Sequence, residues 1–170
     1  MEYVLETERL RLRKVIPEKD AAFFVEILNS PSFLKFVGDR KVRTIEDAIA
    51  YLENGVMKRY VENGYDGYMV ELRETGESVG NCGLFKRAVH DYPDIGFSFL
   101  PQHEGKGYGF ESATAVLGLA RQLKIPRVLG ITVAYNTRSV RLLESLGLRF
   151  EKNFHMEGDP EELSLYGMDL

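Results

Sequence analysis

The residues best suited to chemistry form one short run, Gln102-His103-Glu104-Gly105-Lys106-Gly107-Tyr108-Gly109. Three glycines at alternate positions let the backbone approach a ligand closely. A strand pattern precedes the run and a helical pattern follows it. The run therefore ends where a helix offers unpaired N–H groups and the positive end of its dipole. That combination holds an anion, most naturally a phosphate or pyrophosphate, although the same glycines also suit a plain tight turn. Two nucleotide loops are excluded by spacing. A Walker loop needs G-x-x-x-x-G-K-[ST], and here Gly105-Lys106 runs directly into Gly107. A dinucleotide fingerprint needs a third glycine where Phe110 stands.

Other reactive side chains are sparse. His90, His103 and His155 are isolated, with no H-E-x-x-H pattern, so no metal set is expected and the first two read as surface residues. Cys82 stands alone, which excludes an intramolecular disulfide and suits a reducing, cytoplasmic setting; it reads as a small core residue of a strand. The balance of 22 Lys+Arg against 26 Asp+Glu, net −4, lacks the basic surplus of a nucleic-acid binder. The N-terminus is charged from Glu2 onward and carries no apolar signal segment, and no run is long enough to span a membrane. At 170 residues, with 44% hydrophobic and 28% charged residues, residues 1–170 read as one globular domain.

The elements that must position the loop follow from periodicity. Residues 3–15 alternate, with Leu10, Leu12 and Lys14 on one face and Arg9, Arg11 and Arg13 on the other, which predicts a strand with one face toward solvent. Pro17 opens a helix with the stripe Phe23, Phe24, Ile27 and Leu28, and Pro31 ends it. Thr44-Ile45-Glu46-Asp47 reads as an N-cap and acidic first turn of a helix of about 18 residues, through Ile49, Leu52, Val56 and Tyr60. Residues 66–85 form a hairpin turning at 74–77, and a third strand spans about Asp94 to Leu100, stopped by Pro101. The helix after the glycine loop would bury Phe110, Ala113, Leu117, Ala120 and Leu123. Val128 to Ala134 is nearly continuously apolar, as in a strand covered on both faces. Asn136 caps a helix that Gly147 stops, and Leu148–Phe154 with Leu163–Leu170 form a final strand pair. Hairpins mixed with crossover helices imply an α+β fold with a mixed, mostly antiparallel sheet flanked by helices. Only the strand–helix–strand unit from 94 to 134 can be parallel.

These residues carry a resemblance. Gln102-x-x-Gly105-x-Gly107 resembles the acyl-CoA pyrophosphate loop of the GNAT superfamily of N-acetyltransferases, Q/R-x-x-G-x-G/A. Asn136-x-x-Ser139, followed by Leu142-Leu143-Glu144-Ser145-Leu146-Gly147-Leu148, resembles the second CoA-side segment of that superfamily. Thr7-Glu8-Arg9-Leu10-x-Leu12-Arg13, Asp94-Ile95-Gly96-Phe97 and Gly105-Lys106-Gly107-Tyr108-x-x-Glu111 are similar to its ribosomal-protein N-acetyltransferase branch. The resemblance covers nearly the whole chain.

It implies a three-layer α/β/α sandwich and acetyl-CoA as co-substrate, without a metal. The backbone N–H groups of Gly105, Lys106, Gly107, Tyr108 and Gly109, behind Gln102, would hold the pyrophosphate. Phe99 and Leu100 would pair with pantetheine and polarise the thioester carbonyl, and Asn136 would hydrogen-bond the cofactor arm. The acceptor would be a primary amine, either a protein N-terminus or a small molecule, which attacks the thioester directly without an acyl-enzyme. An N-terminal amine, with a pKa near 8, needs less help from a base than a lysine near 10.4. Tyr51, Tyr60, Phe33, Phe36 and Tyr92 would border the acceptor entrance. The protein would be a monomer or homodimer. Two departures stand out: the superfamily's tyrosine acid falls at Leu143, and its strand glutamate four residues before the asparagine falls at Thr132. Ser139 is then the candidate for the departing thiolate, and Glu157 the candidate base, with Asp94 and His155 as rivals. A CoA-binding regulatory domain without catalysis is the alternative.

Overall fold

The computed structural model describes residues 2–170. Strands β1 (Leu5–Glu6) and β2 (Leu10–Lys14) open the chain. Helices α1 (Pro17–Leu28), α2 (Pro31–Phe36), α3 (Ile45–Asn54) and α4 (Val56–Asn63) follow. Strands β3 (Gly67–Leu72), β4 (Ser78–Phe85) and β5 (Asp94–Phe99) form a meander, and α5 (Tyr108–Gln122) leads to β6 (Arg127–Thr132). Helix α6 (Thr137–Ser145), β7 (Arg149–Phe154) and β8 (Leu163–Asp169) complete the fold.

All eight strands join one sheet in the order β1-β2-β3-β4-β5-β6-β8-β7. Each neighbouring pair is antiparallel except β5 with β6, the one crossover unit the sequence predicts. The mixed α+β sheet flanked by helices is therefore the observed fold. Helix α5 lies across β4 and β5 and reaches β1 and β2, while α6 lies against β6. One apolar cluster runs from Leu10 in β2 through Leu52, Leu84 and Val116 to Tyr166 in β8.

Local signals act where expected. Pro17 stands in the first turn of α1, and Thr44 closes a capping box with Asp47 at the start of α3. Four expectations change. The helix begun at Thr44 breaks at Gly55, where a Cβ would sit 2.8 Å from the Tyr51 carbonyl; α4 then restarts the same stripe with Val56 and Tyr60 inside. Pro31 does more than end α1, since it occupies the first turn of α2. The arginine face of β2 is not solvated at Arg13, which is 1% exposed because Asp20 of α1 and Glu71 of β3 enclose it. On α5, Phe110 and Leu123 point outward, and Val116 and Leu119 take their place against the sheet.

Candidate active site

The parallel pair opens into a cleft. Strands β5 and β6 register once, Asp94 opposite Leu129, and the Leu129 N–H donates to the Pro93 carbonyl at 2.9 Å. Beyond that point β5 stays on β4 as far as Phe99, and β6 stays on β8 as far as Thr132. The two strands part, and their facing backbone groups are left to the space between them. The arm ending at Phe99 and Leu100 runs through a 3₁₀ turn, Pro101–His103, into the glycine loop.

Gly105 and Gly107 have φ of +75° and +82°, a left-handed backbone that side-chain-bearing residues rarely adopt. Gly107 is the N-cap of α5 and supplies no side-chain cap. Among the described residues, the N–H groups from Gly105 to Phe110 donate to no acceptor. Six neighbouring donors at the positive end of a 15-residue helix form an anion cradle. Gln102 lies exposed at its edge.

The loop is braced from the β1–β2 turn. The Glu111 carboxylate accepts from Thr7 Oγ1 at 2.6 Å, from the Arg9 N–H at 3.0 Å and from Arg9 Nε at 2.7 Å. Burial pulls its pKa up, but these hydrogen bonds bring it below the usual carboxylate value. Arg9 Nη1 donates to the Lys106 carbonyl at 2.9 Å, and its guanidinium lies 4.7 Å above the Tyr108 ring. The sequence shows Thr7, Arg9 and Glu111 as motif residues; their mutual contact comes only from the fold.

The second arm of the cleft ends at Asn136, whose Oδ1 accepts the Ser139 N–H at 3.3 Å. Ser139 is half-buried in the first turn of α6, and its hydroxyl has no partner among the described residues. Leu142 packs against the start of α5, 3.0 Å from where a Cβ of Gly109 would be. Asn136 and Ser139 are thereby brought to the mouth of the cleft with the glycine loop. Leu143 is buried over Gly130, and Thr132 is buried in β6 with its hydroxyl on the Val133 carbonyl.

Asp94 sits at the vertex where the strands part, 4% exposed. Along β5 it shares a face with Gly96 and Ser98, while Ile95, Phe97 and Phe99 face the other way. Cys82, directly across from Phe97, has Ser112 of α5 beside its thiol, so Asp94 looks away from α5. The same far face holds Leu129 and Ile131 of β6, Leu165 and Leu163 of β8, and Phe154 of β7, by register. His90 packs edge-on against Phe154 at 5.3 Å, so the β4–β5 loop folds over this face. Burial pushes the Asp94 pKa up; Arg87, at 2.7 Å from Oδ1, and His90 pull it back only in part. Burial lowers the His90 pKa, and its Nδ1 is sealed without a partner.

Glu157 lies on an exposed turn of the β7–β8 loop and makes no ion pair among the described residues. His155 is exposed too, with Nδ1 3.1 Å from the Glu161 carbonyl. Glu161 accepts from the Tyr135 hydroxyl at 2.7 Å, and Tyr135 stacks against Phe36 of α2 at 5.9 Å. Phe36 therefore reaches the second arm's end. Tyr60, by contrast, is core: its hydroxyl accepts from the Val15 N–H and donates to the Gly67 carbonyl. Tyr51 and Tyr92 are exposed, and Phe33 is half-buried beside Arg40. Neither histidine read as surface is fully so. His90 is half-buried, and His103 is buried under the loop, with Nε2 3.1 Å from Glu77 Oε1.

A splayed parallel pair, with a glycine cradle on one arm and a capped helix on the other, is the architecture of an acyltransferase. The model of the acetyltransferase (GNAT) domain matches residues 9–149, and the chain belongs to this family. A relative described as an N-acetyltransferase, YnaD of Bacillus subtilis (strain 168), is 28% identical over 149 residues, covering 87% of this chain and 84% of its own. A GNAT-family acetyltransferase from Bacillus anthracis superposes with a TM-score of 0.80 at 24% identity, over 97% of each chain. An acetyl transferase from Salmonella typhimurium, which modifies the N-terminal serine of 50S ribosomal subunit protein L7/L12, superposes with a TM-score of 0.79 at 16% identity, over 99% of each chain.

Proposed function

We propose that this acetyltransferase moves the acetyl group of acetyl-CoA to a primary amine, a protein N-terminus or a small molecule, by direct attack within a ternary complex. The observation that carries this is the cradle of unpaired N–H groups from Gly105 to Phe110 at the end of the open β5 arm. A pyrophosphate satisfies those donors, and pantetheine then lies along Phe99 and Leu100 as an added strand. Backbone N–H groups of β5 facing the cleft polarise the thioester carbonyl and hold the oxyanion. Asn136 orients the cofactor arm.

The amine arrives as an ammonium and must lose one proton before it attacks. Asp94 is the base favoured here, because it is buried at the vertex with a raised proton affinity; Glu157, out on its turn, is the less favoured one. As the tetrahedral intermediate collapses, the C–S bond breaks and the thiolate takes the second amine proton. Ser139 donates a hydrogen bond to that sulfur in place of the superfamily's tyrosine. A thiolate nucleophile is disfavoured, since Cys82 is fully buried and its thiol is pushed up to about 12. A net charge of −4 suits a cationic acceptor, and the Salmonella protein's N-terminal serine is one example of the acceptor class.

Thermal melting with acetyl-CoA, CoA, ATP and NAD tests the cofactor. A ligand at 100 times its dissociation constant stabilises by about 2.7 kcal/mol, or roughly 5–11 °C here. A rise with acetyl-CoA and CoA alone supports the reading, and no rise with either ends it. Thiol release with spermidine and with short peptides bearing free N-termini then separates an enzyme from a regulatory CoA-binding domain. The buried Leu143 at the tyrosine position keeps that second reading in play, and tight binding with no turnover would favour it. Gly107→Trp should remove CoA binding while a cooperative melt persists.

A further inference from the structure

Glu104 stands immediately before Gly105, and a carboxylate beside an anion cradle opposes the ligand the cradle takes. Its two oxygens are both engaged. Arg138 Nη1 donates to Oε2 at 2.7 Å, and Ser32 Oγ donates to Oε1 at 3.3 Å. Arg138 lies in the first turn of α6, two residues after Asn136, and its side chain is 69% exposed. Glu104 is its one carboxylate partner among the described residues. The guanidinium thus rests at the rim of the cradle, on a helix whose Leu142 packs on the start of α5.

We propose that Arg138 is a phosphate ligand of the cofactor, and that Glu104 is an internal competitor that holds Arg138 until a phosphate displaces it. This rests on the acetyl-CoA reading above. An exposed pair of this kind contributes little to stability, so it exchanges readily. A phosphate offers more charge than a carboxylate and matches the guanidinium fork equally well, so it wins the exchange. The exchange also reaches the acceptor side. Helix α2 has no buried residue, and Ser32–Glu104 is its side-chain hydrogen bond to the cofactor loop. When Glu104 leaves Arg138, that tie is free to change, which couples the arrival of cofactor to the position of α2.

Calorimetric titration of CoA and 3′-dephospho-CoA into the whole protein tests this, in wild type, Glu104→Gln, Arg138→Gln and the double variant. Arg138→Gln should weaken CoA about 10-fold or more, and Glu104→Gln should tighten it about 3- to 10-fold. In the Arg138→Gln background, Glu104→Gln should change affinity less than about 2-fold, because there is nothing left to compete for. A loss with Arg138→Gln that vanishes for 3′-dephospho-CoA supports the proposal with the 3′-phosphate as the ligand, and a loss that persists supports it with the pyrophosphate. If Glu104→Gln weakens binding or leaves it unchanged, Glu104 only braces the loop and the proposal is overturned. Equal tightening in both backgrounds also overturns it, since Glu104 would then act through its own charge. An Arg138→Gln variant that binds as wild type does the same. A wild-type protein that binds neither ligand fails the acetyl-CoA reading first. Any variant that loses its cooperative melt is replaced by Glu104→Asp or Arg138→Lys.

Discussion

Two sites pair a buried carboxylate on or against the sheet with an arginine, and they behave differently. In the first, Arg13 donates to both oxygens of Asp20 at 2.8 Å and to Glu71 at 2.6 Å, and all three side chains are almost wholly buried. Asp20 also accepts the Ile16 N–H, and Glu71 accepts from Tyr3 and meets Arg11, so the carboxylates are closed to any further partner. In the second, Asp94 is as deeply buried, but its arginine, Arg87, is 42% exposed and approaches from one side. A buried charge with an equally buried, geometrically matched partner is a structural tie. A buried charge whose partner stands in water keeps a raised proton affinity and a reason to take up a proton.

That contrast can be broken from either side. The largest effect should come from Arg13→Met, which leaves Asp20 and Glu71 buried without their cation. Unfolding by urea should show a loss of about 3–5 kcal/mol. Asp94→Asn should do the reverse, cutting turnover by about 10²-fold or more while CoA affinity and the melt change little. A loss of stability as large as that of Arg13→Met would place Asp94 among the structural ties instead.

A third effect is smaller and has a definite sign. The Asp94 pKa is raised in the fold above its ordinary 3.8, so folding favours the protonated form. Its contribution to stability is most favourable at low pH and is lost as pH rises from about 4 through the folded value. The Asn variant lacks this dependence, so its stability relative to wild type should improve as pH rises above about 4. A flat difference across that range would contradict the shift. The smallest effect belongs to Arg87→Gln. Removing that cation should move the acidic limb of kcat/KM upward by up to about one pH unit. An unmoved limb would assign the limb to another group.

The same contrast explains what the sequence made legible. The glycine loop, the Asn136 cap, the hairpin and the apolar β6 are all written within a few residues of themselves, by turn chemistry and period. Arg13 reads as a solvent-facing arginine because its partner Glu71 is 58 residues away, and period alone says nothing of that. His103 and His90 are hidden for a similar reason: the turn at Glu77 and the strand end at Phe154 that cover them lie elsewhere in the chain. Pro31 is ambiguous by nature, since the residue that stops one helix is well suited to begin the next. Within the candidate site, the cradle was readable as a motif. The different burial of Asp94 and Glu157 was not, because it depends on segments distant in the chain.

The brace between Arg9 and Glu111 spans 102 residues of chain. Contacts of such separation form late, after local helices and hairpins have gained structure. The cradle therefore takes its final shape only when the first strands of the chain have met the helix that follows the loop. On the ribosome, a nascent chain must expose α5 and then fold its earliest segment back onto it before it can take the phosphate proposed for the cradle. In a refolding experiment, recovery of CoA binding should trail the recovery of helical signal, and Arg9→Gln should widen that lag.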